Sequence, residues 1–312
     1  MRIGPFARRQ SWPTRIVRRV DIVLALVAAL LFALGTVLQQ KAGLDEPSEG
    51  SGSSVLLRMV RRPVWLAGVA ADALGFVAQA AALGVGRLAV VQPLLIASIV
   101  FALPLGARLT GQRVQRIDLG AALLVLGALV VFLTVANPSG GHEDAPFRDW
   151  LIAGAVCALA CVPLVLLARR ASPTRRAALL GIATGILFAL SAALTKTVVD
   201  ELGDGVLDVL SSWHLYALIA VGYASMTLNQ LALDTGALAA AVATSTAFDP
   251  ITSVIVGAAL FDESLHSAPG ELLATAAALI AALAGMAVLA RARAESEQAV
   301  SPASPAPRIR AG

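Results

Sequence analysis

The chain has 312 residues, of which 58% are hydrophobic and 14% charged, with a formal net charge of +4. A soluble domain carries roughly 25% charged residues to coat its surface, so these proportions exclude an ordinary water-soluble protein and make lipid the expected solvent. The basic excess fits Arg-rich loops against anionic lipid and cytoplasm rather than nucleic acid.

The first 19 residues are polar and carry Arg2, Arg8, Arg9, Arg15, Arg18 and Arg19, a basic N-terminal arm. The apolar run that follows is long for the core of a secretory signal. It ends in Gln39-Gln40-Lys41 rather than a small-residue cleavage site, so it reads as a first span. A span needs about 20 predominantly apolar residues. On that rule spans are predicted near Val20–Gln40, Val64–Gly84, Leu88–Ala107, Ile117–Ala136 and Trp150–Ala168. Four more follow near Ala177–Val199, Trp213–Leu233, Ala237–Phe261 and Gly270–Ala290. Trp65, Trp150 and Trp213 each fall in the first turn of a span, where aromatic-belt anchors belong. The loop Glu46–Ser54 reads as flexible, and residues 291–312, Pro/Ser/Ala-rich from Ser296, as a disordered C-terminal tail.

Ala, Leu, Val and Gly dominate the apolar residues, and aromatics make up 5%. Small residues of this kind let helices approach closely in a bilayer. The alternating segments of about 10 residues that mark an outer-membrane barrel are not seen. The predicted fold is therefore all-α, a polytopic membrane bundle of about nine transmembrane helices.

Two weak internal matches occur in the same order. Leu31-Phe32-Ala33-Leu34 with Leu38 in span one is echoed by Leu187-Phe188-Ala189-Leu190 with Leu194 in span six. Gly106-Ala107-Arg108-Leu109 at the end of span three is echoed by Gly257-Ala258-Ala259-Leu260 in span eight. The repeat is spans one to four (20–136) against six to nine (177–290), with span five (150–168) as connector. A shift of five helices inverts the second half, which places a site between the halves and suits alternating access. Loop charge agrees: Arg108, Arg113 and Arg116 follow span three, whereas Asp262, Glu263 and His266 follow span eight. Arg169–Arg176 joins the basic side, and His142–Asp144 and Asp200–Asp208 join the acidic side. The positive-inside rule then puts the C-terminus in the cytoplasm and the N-terminus outside, against the charge of the N-terminal arm.

An ionisable residue deep in a span costs about 2.5–3.5 kcal/mol on insertion scales and so needs a function or a partner. Asp72 in span two and Asp249 in span eight qualify. Pro250 frees a carbonyl one turn back, and Thr244, Ser245, Thr246 and Thr252 surround it, so a broken helix with a proton or cation site is expected there. The bland alternative is that Asp249 caps the half-helix. Asp72 facing Gln79 or Asn229 would be structural. Gln92-Pro93, with Ser98 and Pro104, is the first-half counterpart of the break. Asn229, Gln230 and Asp234, with Tyr216 and Tyr223 upstream, would add amides and aromatics to a cavity. Lys41 and Lys196 are expected to snorkel to the headgroups. Gly181–Gly185 (GIATG) and the pair Cys157 and Cys161 are read as helix packing.

His142, His214 and His266 lie in loops or at a helix end without metal-ligand spacing, and no HExxH, P-loop or nucleophile elbow occurs. The expectation is a non-enzyme without a cofactor, driven by a gradient.

The segments LFALGTVLQQKAG (31–43), RRPVWLAGVAADALGF (61–76), LGVGRLAVVQPL (83–94) and GALAAAVATSTAFDPITSVIVGAALFDESL (236–265) resemble the drug/metabolite transporter superfamily and its EamA-like members. The resemblance covers about residues 20–290. Within the superfamily the chain is most similar to the branch near the NIPA-like magnesium transporters. The carriers are Leu38-Gln39-Gln40-Lys41-Ala42 and Asn229-Gln230-Leu231-Ala232-Leu233-Asp234. Many relatives have ten spans, and the tenth is not found here. The resemblance implies a multi-pass plasma-membrane transporter of a small metabolite or amphipathic solute, or else of magnesium with Asp249 and Asp72 as ligands. Asp72, Gln79, Gln92, Asn229, Gln230, Thr244, Asp249 and Pro250 are the expected pathway residues. A non-transporting, lipid-handling or partner-binding membrane protein is the third alternative. The expected partners are the bilayer and the substrate, with a homodimer left open and no nucleic acid.

Overall fold

The computed structural model describes residues 14–44, 62–111, 114–135, 138–140, 144–265 and 269–300. The loop Glu46–Ser54, Arg113, His142, His266 and residues 301–312 lie outside them. The helices are α1 (Thr14–Leu44), α2 (Pro63–Val85), α3 (Leu88–Leu95), α4 (Ala97–Leu109), α5 (Arg116–Val135) and α6 (Phe147–Ala168). They continue as α7 (Pro173–Leu202), the short α8 (Val206–Ser211), α9 (Trp213–Leu233), α10 (Leu238–Phe261) and α11 (Pro269–Val300). Two three-residue strands, β1 (Pro138–Gly140) and β2 (Glu263–Leu265), pair antiparallel, with Ser139 opposite Ser264.

The fold is an all-α bundle, and each of the nine expected apolar runs falls on helix. Seven of these helical stretches are long and apolar enough to cross a membrane: Val20–Ala42, Pro63–Val85, Leu88–Leu109, Arg116–Val135, Phe147–Ala168, Pro173–Leu202 and Ala240–Phe261. The apolar part of α11, Leu273–Leu289, is shorter. In α9 the polar His214, Asn229 and Gln230 dilute the apolar run.

Contacts at helix ends fix the direction of each traverse. Asp21 near the start of α1 lies against Gly86, between α2 and α3. Lys196 near the end of α7 reaches the same turn, and Glu263 beyond α10 touches the start of α3. The β1–β2 pair joins the end of α5 to the segment between α10 and α11. Trp150 at the start of α6 touches Trp213 at the start of α9 and Phe261 at the end of α10. These ends share one side of the bundle, so successive long helices run in alternating directions. The other side carries Arg62, Arg108, Arg116, Arg169, Arg170, Arg175 and Arg176. We call the two sides the acidic end and the basic end.

Close approach of backbones explains the tightest pairs. A Cβ on Gly35 would collide with Asp72 and one on Gly75 with Phe32, which joins α1 to α2. A Cβ on Gly181 would meet Thr244 and Ala241, and one on Gly185 would meet Ser245 and Phe248, which joins α7 to α10. The GIATG motif is thus a packing seam. Cys157 and Cys161 are buried and unbridged, and the Cys161 thiol lies 3.6 Å from the Ala183 carbonyl.

Several expectations change. Residues 291–300 continue α11, because Ala, Arg, Glu and Gln all favour helix. Likewise α1 begins at Thr14, inside the basic arm. The expected acidic loop Asp200–Asp208 is largely the end of α7 and the start of α8. Trp150 is no belt anchor, being 4% exposed, since its ring packs on Trp213, His214 and Phe261.

Candidate functional site

The helix break lies in the first half. Pro93 has no N–H to give, and the chain tightens so that Ile96 N–H donates to the Pro93 carbonyl at 3.2 Å. Ile96 separates α3 from α4. By contrast α10 runs unbroken through Asp249-Pro250. Pro250 still leaves the Thr246 carbonyl without its intrahelical donor, and the turn before it packs against Gly185 of α7. The surrounding hydroxyls serve their own helix: Thr244 donates to the Ala240 carbonyl at 2.7 Å and Thr246 to that of Val242 at 2.5 Å.

Asp249 is the twelfth residue of the 24-residue α10, about 17 Å from either end at 1.5 Å per residue. That depth is the middle of a hydrocarbon core about 30 Å thick. Its Oδ1 accepts a hydrogen bond from Ser253 at 3.3 Å. α3 begins beside Gly257 and Glu263 and runs antiparallel to α10. Gln92 therefore comes level with Ser253, and the break at Ile96 level with Asp249. Gln92 is 2% exposed, and its Oε1 has no partner among the described residues. α7 runs parallel to α10, with Gly185 against Ser245, Phe248 and the backbone of Asp249. Further along α7 the Ser191 hydroxyl is also buried without a partner among the described residues. Counted along the helices in this way, Gln92, Ser253 and Asp249 make one polar layer between α3 and α10, one helix from each half of the chain.

Asp72 is elsewhere. It seats against Gly35, and Gln39 Nε2 donates to its Oδ2 at 2.5 Å. Its partner is neither Gln79 nor Asn229 but an amide of the Leu38-Gln39-Gln40-Lys41-Ala42 segment. Gln79 is half-buried on α2. On α9, Asn229 is half-buried, whereas Gln230 is exposed, as are Tyr216 at 60% and Tyr223 at 76%. The expected aromatic lining therefore faces outward, because α9 packs on α7 and α10 through its opposite side.

Four charged or titratable residues at the acidic end were not singled out as site residues. Lys196 does not snorkel: it is 8% exposed, and its Nζ donates to the carbonyls of Gly86 at 3.0 Å and Leu83 at 3.3 Å. It also lies 5.4 Å from the centre of the Phe261 ring. Glu263, 4% exposed, accepts from the backbone N–H of Leu88 at 2.9 Å and Ala89 at 3.0 Å. Asp21 is 2% exposed beside Gly86, and His214 is 4% exposed. Their common sequence signal is a charge or imidazole at the edge of an apolar run, which looks the same as a headgroup contact.

No family model matches the chain, and no solved structure matches it. A curated protein of Corynebacterium glutamicum, described as uncharacterized, is 30% identical over 272 residues. The alignment covers 86% of this chain and 94% of that protein, so it takes in most of both chains rather than one apolar segment. The chain belongs to the same family as this Corynebacterium glutamicum protein.

Proposed function

We propose that the chain is a secondary transporter of the drug/metabolite type, with nine spans in two inverted repeats. It moves a small metabolite or amphipathic solute by alternating access, coupled to protons through Asp249. It sits in the plasma membrane with its C-terminus in the cytoplasm. The observation that carries this reading is the polar layer of Gln92, Ser253 and Asp249 between α3 and α10, in which Gln92 Oε1 is buried without a partner among the described residues. Buried polar groups without partners are costly, and a solute that visits the layer removes the cost.

The arrangement of helices supports the inverted repeat. α1 and α7, the lead helices of the two halves, traverse in opposite senses. Each packs on the second and third helices of its own half, and α5 packs on α11, fourth helix against fourth.

A second reading, transport of Mg²⁺ or another divalent cation, draws on the same layer, since hard cations take oxygen ligands. The placement of Asp72 on the α1–α2 seam leaves Asp249 as the one carboxylate of the layer among the described residues, which favours the first reading. Proteoliposomes loaded with magnesium- and pH-sensitive dyes separate the two. Proton movement that appears only with a metabolite panel, and is lost in Asp249→Asn, is the expected result. Magnesium entry lost in the same variant would move the cation reading to first place. Silence in both channels would remove transport altogether.

A further inference from the structure

At the acidic end the start of α6, the end of α7 and the start of α9 meet around one imidazole. His214 Nδ1 lies 2.7 Å from Glu201 Oε1 and 3.0 Å from Ser212 Oγ, and that hydroxyl donates to the same Glu201 oxygen at 2.6 Å. On the other side of the ring, Nε2 faces Asp144 Oδ1 at 3.6 Å and has no hydrogen-bond partner among the described residues. Asp144 Oδ1 is held in place by the Trp150 indole N–H at 3.0 Å and the Ala145 N–H at 2.7 Å. The imidazole is flanked by Trp213, with ring centres 4.0 Å apart, and by Trp150 at 5.4 Å.

We propose that Asp144, Glu201 and His214 form a proton-binding site, distinct from the Asp249 layer, that fastens α6, α7 and α9 together when the imidazole is charged. A neutral imidazole has a single N–H, whereas an ionised carboxylate only accepts. Glu201 takes that hydrogen at Nδ1, which leaves the lone pair of Nε2 pointing at a second carboxylate. A proton on Nε2 turns this opposed pair of acceptors into a charge-assisted hydrogen bond. The gap of 3.6 Å is a few tenths of an ångström beyond hydrogen-bond length, so protonation draws Asp144 inward. The proton has a route, since the Asp144 side chain is 49% exposed while that of His214 is 5%.

The neighbouring charges leave this role to the three residues. Arg148 and Asp149 on α6 pair with each other at 3.3 Å. Lys196 on α7 and Glu263 after α10 are engaged at the turn between α2 and α3. Asp200 closes α7, Asp204 follows it, Asp208 lies on α8 and Asp262 follows α10. The site also has a mechanical neighbour: Trp150 edges onto Phe261 at 6.0 Å, and that ring lies beneath Lys196.

Tryptophan emission of the purified full-length protein, titrated between pH 8 and 5, reads the site directly, because an imidazolium quenches a neighbouring indole more than a neutral imidazole does. Emission is expected to fall on acidification with one midpoint, and to stay flat in His214→Gln. Asp144→Asn removes an anion that favours the charged ring, so its midpoint should move down by about one pH unit or more. A flat wild-type curve, or a fall that survives in His214→Gln, overturns the proposal. If His214→Gln does not fold, Asp144→Asn decides alone, and an unchanged midpoint there overturns the site equally.

Discussion

Lys196 and Glu263 show how single side chains from one half of the chain hold a turn in the other. α2 ends at Val85 and α3 begins at Leu88, so a partly negative and a partly positive helix end lie side by side. The Lys196 ammonium takes the carbonyls of Leu83 and Gly86, and the Glu263 carboxylate takes the N–H groups of Leu88 and Ala89. Removing the ammonium leaves buried carbonyls without a donor, which costs about 1–3 kcal/mol. Lys196→Met is therefore expected to lower the thermal unfolding midpoint in detergent. Glu263→Gln should cost less, because its amide oxygen still accepts one of the two bonds. Lys196→Met unfolding at the wild-type temperature would mean that the side chain snorkels outward after all.

Helices α7 and α10 meet at glycines, and this is where element packing is most sensitive. A Cβ on Gly185 would lie 2.5 Å from the Ser245 carbonyl oxygen and 2.9 Å from Phe248 Cβ. Gly185→Leu should therefore cost about 1–3 kcal/mol or more by overpacking. Gly127 on α5 has nothing within 4 Å of the same position, so Gly127→Leu should stay within about 0.5 kcal/mol of wild type. Thermal unfolding of the two variants checks the contrast, and equal effects would refute the seam. The glycines and apolar runs were readable because hydropathy and small-residue spacing are local properties. Of the breaks expected at both prolines, only the one at Pro93 is seen: Pro93 and Pro250 look alike in sequence, but the turn at Asp249 packs on Gly185 of α7. Lys196 and Glu263 were missed because their partners lie more than 100 residues away in the chain. Nothing in the residues beside them distinguishes a buried helix cap from a headgroup contact.

At the scale of the molecule, the alternating traverses put the start of α1 and the end of α11 on opposite sides. In the proposed orientation the arginines of the basic end face the cytoplasm, as the positive-inside rule expects, although the N-terminal arm carries six arginines of its own. Exposed positions between helices test both side and count. Asp208 lies at the acidic end, Arg170 and Asp234 lie at the basic end, and all three are exposed. Cys157 and Cys161 are buried, so single new cysteines can be read against a quiet background. In intact cells a membrane-impermeant maleimide should label Asp208→Cys. Arg170→Cys and Asp234→Cys should react only after permeabilisation. The Asp234 position carries the most information, because α9 separates it from Asp208 and α9 is the helix most diluted by polar residues. Labelling of Asp208→Cys and Asp234→Cys together from outside would mean that α9 does not cross. The chain would then have an even number of spans, and the two halves could not be inverted copies. Labelling of Arg170→Cys and Asp234→Cys without Asp208→Cys would keep the count and reverse the orientation, showing that the N-terminal arm outweighs the loops. The pattern expected from the fold keeps both: α9 crosses, the basic end is inside, and the His214 site faces the outside medium.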